Sequence, residues 1–189
     1  ITDLIDFLNS AGADISGKST TNIVINGVKS LHSVEHTVIP DRILATTIMS
    51  SVAACKGDVK INCVNINDIM PTLPVFEEMG CTLTKYSNSI RIKLNARPNR
   101  VRFIETRAFP GFPTDCQAPV VSALAVANGT SVVKENIFEN RFKYTEQLNL
   151  FSADIKVSER IAMINGVESL HPANAKCTDL RGGAAVVIS

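Results

Sequence analysis

An excess of charge of one sign is what this chain most plainly lacks: 19 Lys and Arg stand against 18 Asp and Glu, for a formal net charge of +1. That balance offers no electrostatic footprint for nucleic acid or for an anionic membrane surface. No apolar run is long enough to span a bilayer, and no low-complexity tract or linker composition interrupts the chain. The five cysteines (Cys55, Cys63, Cys81, Cys116 and Cys177) are scattered singly, without metal-ligand spacing and with no signal-peptide pattern before them. That usage is expected of a reduced, cytoplasmic protein. The three histidines, His32, His36 and His171, do not cluster by spacing, which favours structural roles. No metal and no organic cofactor is expected. Position 1 is Ile rather than Met, and the sequence stops at Ser189 inside the apolar run Ala184 to Ile188, so we expect a piece of a longer polypeptide.

What is present is a repeat. Asp41, Asp115 and Asp179 each open an apolar stretch, with gaps of 115 − 41 = 74 and 179 − 115 = 64 residues. One unit of about 70 residues therefore recurs. Gly27-Val28-Lys29-Ser30-Leu31-His32 returns as Gly166-Val167-Glu168-Ser169-Leu170-His171, five matches in six at a separation of 139. Leu8-Asn9 with Ala13-Asp14-Ile15 returns as Leu148-Asn149 with Ala153-Asp154-Ile155. With 45% hydrophobic residues in 189, the chain can bury a proper core.

Each unit is expected to begin with an amphipathic helix: Leu4, Ile5, Leu8 and Ala11 share one stripe, and Tyr144, Leu148 and Phe151 another. Pro71 and Pro74 should shorten the middle copy, because neither suits a helix interior. Short strands follow, with Ile90, Ile92 and Leu94 alternating with Arg91 and Lys93 as in a sheet with one wet face. Asp41 is a good N-cap for a helix running to about Cys55, where Gly57 stops it. From Ile43 to Cys55, and again from Cys116 to Asn128, there is no charged residue, and a helix apolar on every side must be buried on every side. The expected class is α/β, built from α+β repeats with uncharged helices central and half-wet sheets outside. Asn95 to Arg102, with Arg97, Arg100 and Arg102, reads as a solvated loop.

Three segments could carry chemistry. Phe109-Pro110-Gly111-Phe112-Pro113-Thr114-Asp115-Cys116-Gln117 delivers Asp115 to a helix start through a stiffened loop, although composition alone favours a simple N-cap. Pro119 places the regular helix a residue late and leaves Asp115 just outside it. Asn136 to Phe142 is dense in polar groups, which a tight polar turn would explain without any ligand. In Thr178-Asp179-Leu180-Arg181, Asp179 caps a helix, and Arg181 either pairs with a carboxylate or reaches an anion.

Taken together and in this order, Pro113-Thr114-Asp115 with Gln117-Ala118, Phe138-Glu139-Asn140-Arg141-Phe142, Thr178-Asp179-Leu180-Arg181 and His36 to Arg42 resemble the enolpyruvyl transferase family over essentially all 189 residues. The resemblance implies an inside-out α/β barrel of pseudo-threefold repeats. Residues 1–39 would be the end of a first-barrel repeat, able to complete the domain here, and residues 40–189 most of a second barrel, truncated at its C-terminus. It implies transfer of the enolpyruvyl group of phosphoenolpyruvate to the 3-hydroxyl of UDP-N-acetylglucosamine, early in peptidoglycan synthesis. Asp115 would be the base that takes the hydroxyl proton. Thr114, Ile137 and Phe138 would line the sugar-nucleotide pocket, with Asn140, Arg141, Asp179 and Arg181 in the polar network beneath it, and Arg42 and Glu139 would bridge repeats.

The family's reactive cysteine and most of its phosphoenolpyruvate-gripping residues fall outside this sequence, and Cys116 is not that cysteine. A missing first barrel in cis is thus an implied partner, and neither nucleic acid nor a membrane is. Two alternatives stay open: the relative that uses 3-phosphoshikimate, which would call for more phosphate-binding Arg, Lys and Ser, and a non-catalytic module that keeps the fold.

Overall fold

The computed structural model describes residues 1–177 and 179–189; Thr178 lies outside the described residues. The chain forms two compact units, Ile1–Pro40 and Asp41–Ser189.

In the first unit, helix α1 (Thr2–Ser10) is followed by strands β1 (Asp14–Ser16) and β2 (Val24–Asn26), paired antiparallel with Ile15 opposite Ile25. The expected stripe is only partly buried. Ile5 and Ala11 are inside, whereas Leu4 is 58% exposed. Asn9 ties helix to hairpin by donating through Nδ2 to the Ile15 carbonyl and accepting the Ile15 N–H on Oδ1.

The second unit repeats that device. Helix α2 (Arg42–Cys55) leads to strand β3 (Asp58–Asn62), then to the short helices α3 (Ile66–Ile69) and α4 (Leu73–Glu78), separated by a 3-10 turn at Met70–Thr72. The interruption falls where Pro71 and Pro74 remove backbone donors. Strands β4 (Thr82–Lys85) and β5 (Ser89–Lys93) complete an antiparallel sheet in the order β3-β5-β4, with Ile61, Ile90 and Ile92 facing the core and Arg91 paired with Asp58 on the wet side.

Strand β6 (Phe103–Glu105) precedes a 3-10 turn at Thr114–Cys116 and helix α5 (Gln117–Ala125). Strand β7 (Thr130–Lys134), helix α6 (Tyr144–Leu150), strands β8 (Asp154–Ser158) and β9 (Ile161–Asn165) and helix α7 (Leu180–Ile188) follow. The second sheet runs β6-β7-β9-β8, parallel only between β6 and β7. Asn149 binds the Ile155 backbone on both sides as Asn9 binds Ile15, and Tyr144 and Leu148 are buried. The repeat seen in the sequence is thus a repeat of side-chain hydrogen bonds as well.

Helix α5 is the centre. All nine of its residues are buried, and it packs on α2 and α7. Helix α2 departs from the expected burial on all sides: Ala45, Met49, Val52 and Ala53 are enclosed, but Leu44 in the first turn is 58% exposed. Hydroxyls inside these apolar rods find backbone acceptors, with Ser50 donating to the Thr46 carbonyl one turn back and Ser122 donating across to the Ala185 carbonyl of α7 at 2.8 Å.

The loop expected to be solvated is so only in part: Asn95, Ala96, Asn99, Arg100 and Arg102 are exposed. Pro98 and Val101 are buried, and the Arg97 guanidinium lies 2.9 Å through Nε from the Val126 carbonyl and 2.7 to 3.0 Å through Nη2 from those of Ala127, Gly166 and Val167. Carbonyls just past the end of α5 have no helical partner, and a planar cation with several donors satisfies them.

Gly27 and Gly166, equivalent in sequence, differ in packing. A Cβ at Gly166 would sit 1.8 Å from the Ala127 carbonyl oxygen, whereas one at Gly27 meets nothing within 4 Å. Gly166→Ala is expected to destabilise the fold by about 3 kcal/mol or more, read as a melting temperature lowered by roughly 6–12 °C. Gly27→Ala should stay within about 0.5 kcal/mol. Thermal denaturation followed by circular dichroism checks both.

Candidate active site at the N-terminus of the central helix

Pro113, extended at φ −72° and ψ 135°, turns the chain into the 3-10 turn that carries Asp115, and α5 begins immediately afterwards. Asp115 is not an N-cap: no side chain caps α5. Its Oδ1 instead accepts from Arg141 Nη2 at 2.9 Å and from Arg181 Nε at 3.2 Å. The capping explanation that composition favours is therefore set aside at Asp115, and it holds at Asp41 and Asp179. Asp41 accepts from the Ile43 and Leu44 N–H groups, and Asp179 from those of Arg181 and Gly182.

The carboxylate sits at a surface. The Asp115 side chain is 34% exposed, and among the described residues Oδ2 receives no hydrogen bond. Two basic side chains from different elements thus fix one oxygen and leave the other open, an arrangement that orients a proton acceptor. Arg141 also lies over the Phe138 ring, 5.1 Å from its centroid. Beside it, Ile137, Phe138, Glu139, Asn140, Arg141 and Arg160 line an open depression. Ile137, Phe138 and Asn140 are exposed there. Glu139 pairs with Arg160, which lies between β8 and β9.

Below Asp115 the chain is closely packed. Gln117 is buried and accepts the Tyr144 hydroxyl on Oε1 at 2.9 Å, and burial pushes the Tyr144 hydroxyl well above the usual tyrosine range. Gly182, in the first turn of α7, lets Tyr144 approach: an added Cβ would lie 2.7 Å from the Tyr144 Cβ. Two buried donors, Gln117 Nε2 and Arg141 Nε, have no partner among the described residues.

The structure brings Asp115, Arg141 and Arg181 together directly. Thr114 donates its hydroxyl to Glu135 Oε2 at 2.9 Å rather than facing solvent. Asp179 stands next to the cluster, capping the helix that carries Arg181. Sequence reading passed over Glu135, which is fully buried and also accepts the Ile137 and Phe138 N–H groups. Its signal was a lone carboxylate directly after strand β7, easily taken for the first residue of a polar turn. Arg160 was missed as well. Among the described residues, no group of three or more His, Cys, Asp or Glu side chains could hold a metal ion, and no helix is long and apolar enough to cross a membrane.

A sequence model of the EPSP synthase (3-phosphoshikimate 1-carboxyvinyltransferase) family matches residues 1–189. The chain belongs to that family. Within it, the chain is 47% identical over 189 residues to UDP-N-acetylglucosamine 1-carboxyvinyltransferase 2 of Caldanaerobacter subterraneus subsp. tengcongensis, covering 100% of this chain and 45% of the relative. It is 43% identical over 192 residues to UDP-N-acetylglucosamine 1-carboxyvinyltransferase of Finegoldia magna, with the same coverage. The chain thus spans about 45% of the length of these relatives.

Among solved structures, the enolpyruvyl transferase NikO from Streptomyces tendae superposes with a TM-score of 0.79 at 23% identity, over 99% of this chain and 45% of that one. EPSP synthase from Acinetobacter baumannii gives 0.59 at 22% identity, over 85% of this chain and 39% of that one. The inside-out α/β fold of the EPSP synthase family is therefore the fold of this chain.

Burial holds Cys116, next to Asp115, as a thiol with its pKa raised, and raises Cys81 to about 11, whereas Cys55, Cys63 and Cys177 are exposed. At about pH 8 an alkylating agent should label the three exposed thiols in the native protein and all five after unfolding. Peptide mass mapping checks this, and rapid native labelling of Cys116 would contradict the packing at the start of α5.

Proposed function

We propose that this chain is part of an enzyme that transfers the enolpyruvyl group of phosphoenolpyruvate to the 3-hydroxyl of UDP-N-acetylglucosamine. The observation that carries the reading is the half-open carboxylate of Asp115 held by Arg141 and Arg181. Relatives 39 to 47% identical across the whole chain bear the name of that activity. Asp115 takes the proton from the sugar hydroxyl as its oxygen attacks C2 of phosphoenolpyruvate while C3 takes up a proton from the rest of the active site; loss of phosphate from C2 of the tetrahedral adduct together with a proton from C3 gives the enolpyruvyl ether. Its partners on Oδ1 aim the free oxygen, so orientation supplies much of its effect. The apolar shelf of Ile137 and Phe138 suits a sugar nucleotide, with Thr114, Asn140, Asp179 and Arg181 in the polar surround.

In this reading residues 1–39 end one barrel and residues 40–189 form most of a second. The rest of the active site, including a reactive cysteine and further phosphoenolpyruvate ligands, is supplied in cis, in the cytoplasm, without nucleic acid or membrane. The 189 residues alone should then release no phosphate from phosphoenolpyruvate and UDP-N-acetylglucosamine. Transfer to 3-phosphoshikimate is the second reading, favoured by the activity for which the matching family is named. The exposed apolar pair at Ile137 and Phe138 weighs against it.

Phosphate release by the full-length enzyme with each acceptor separates the two readings. With UDP-N-acetylglucosamine, Asp115→Asn should lower kcat by about 10² to 10⁴ and leave the KM for the nucleotide within about threefold. Turnover close to that of the unsubstituted enzyme would remove Asp115 from the role of base.

A further inference from the structure

A carboxyl group that the proton transfer does not use lies fully buried beneath it. Glu135 Oε1 accepts from the Thr106 hydroxyl at 2.7 Å, from the Ile137 N–H at 2.8 Å and from the Phe138 N–H at 3.2 Å. Its Oε2 accepts from the Thr114 hydroxyl at 2.9 Å. No cation pairs with it among the described residues. Enclosing a carboxyl group costs several kcal/mol unless its oxygens are met by hydrogen bonds, and here four donors from three separate segments meet them.

Those segments are the ones that carry the site. Thr114 directly precedes Asp115, and the Ile137 and Phe138 amides belong to the loop that delivers Arg141. Thr106 follows strand β6, and its hydroxyl also accepts the Asn136 N–H at 2.9 Å, so the far side of the same loop is tied to the sheet. One side chain therefore sets the distance between the loop bearing the carboxylate and the loop bearing its guanidinium partner. Fixing the N–H groups of Ile137 and Phe138 inward also leaves their side chains on the shelf.

We propose that Glu135 is a positioning residue, which holds the Asp115 turn against the Ile137–Arg141 loop and so sets the geometry in which the acceptor hydroxyl meets Asp115. This rests on reading Asp115 as the base. A shelf pushed by a bound ligand would move Glu135 and with it Thr114, so filling of the shelf and alignment of Asp115 are linked through a single group.

Glu135→Ala leaves four donors without their acceptor at once and threatens folding, so the decisive variants are Thr114→Val, Thr114→Ser and, as a control, Thr130→Val in the full-length enzyme. Thr114→Val should lower kcat by about 10- to 100-fold with both KM values within about threefold. Thr114→Ser, which keeps the hydroxyl, should restore kcat to within about threefold of the original. Thr130→Val removes a part-buried hydrogen bond to Asn165 Oδ1 that belongs neither to the Glu135 network nor to the loops it joins. It should lower thermal stability while kcat stays within about threefold.

Equal losses of kcat in the two valine variants would reduce Glu135 to a stability role and overturn the proposal. So would a Thr114→Val enzyme with raised KM and intact kcat, since Thr114 would then act on substrate directly. A crystal structure of Thr114→Val gives a readout independent of which acceptor the enzyme uses: the Asp115 Oδ1 to Arg141 Nη2 separation, now 2.9 Å, should open beyond hydrogen-bond range. An unchanged separation defeats the positioning claim, whereas failure of the Asp115→Asn test defeats only the reading of Asp115 as base.

Discussion

The burial of α5 on every side is the constraint from which the rest follows. A charge-free rod whose nine residues are all enclosed has nowhere to place polar chemistry except at its two ends. Inside, the few polar groups are met by particular partners, Gln117 by Tyr144 and Ser122 by the Ala185 carbonyl. Small residues let α7 come close, and the two sheets are left to wrap the outside with one wet face each. At the far end the carbonyls beyond the helix are collected by Arg97. At the near end the chain emerges as the stiff turn that carries Asp115.

Both ends of the rod are thus managed by arginines, with opposite chemical results. Arg97 spends its donors on backbone and closes the structure. Arg141 and Arg181 share one oxygen of a partly exposed carboxylate and leave its other oxygen open. A carboxylate that capped α5 would have its oxygens turned inward to the first-turn N–H groups. The cationic partners therefore convert a common local feature into a group able to meet a substrate. They come from the loop after β7 and from α7, so the site exists only when three stretches distant in sequence have packed.

Much of this was legible in the residues. The recurrence of Leu-Asn and Ala-Asp-Ile at two positions became the paired hydrogen bonds of Asn9 and Asn149, because a short motif that binds backbone needs nothing distant to work. The charge-free stretches marked the central helices for the same reason, since burial on all sides leaves a local signature. Asp41 and Asp179 cap their helices as their types predict, and Pro71 and Pro74 break theirs.

What stayed hidden depends on distant partners. Arg97 looked solvated because the carbonyls that it binds are about 30 and 70 residues away in sequence. Glu135 was lost among the polar residues of a turn, although it is the one carboxyl group that ties that turn to Thr114 and Thr106. Capping of α5 by Asp115 was the reasonable local inference, and it fails because two guanidiniums from other elements reach the carboxylate first. Leu44 is exposed although its helix carries no charge from Ile43 onward, and it lies in the first turn.

Amide hydrogen exchange tests the central claim most directly. If α5 is the enclosed axis of the second unit, the N–H groups of Val120 to Ala125 should exchange only through global unfolding and be among the slowest in the chain, slower than those of the edge strands β4 and β8. Exchange of α5 as fast as that of the edge strands would contradict the account.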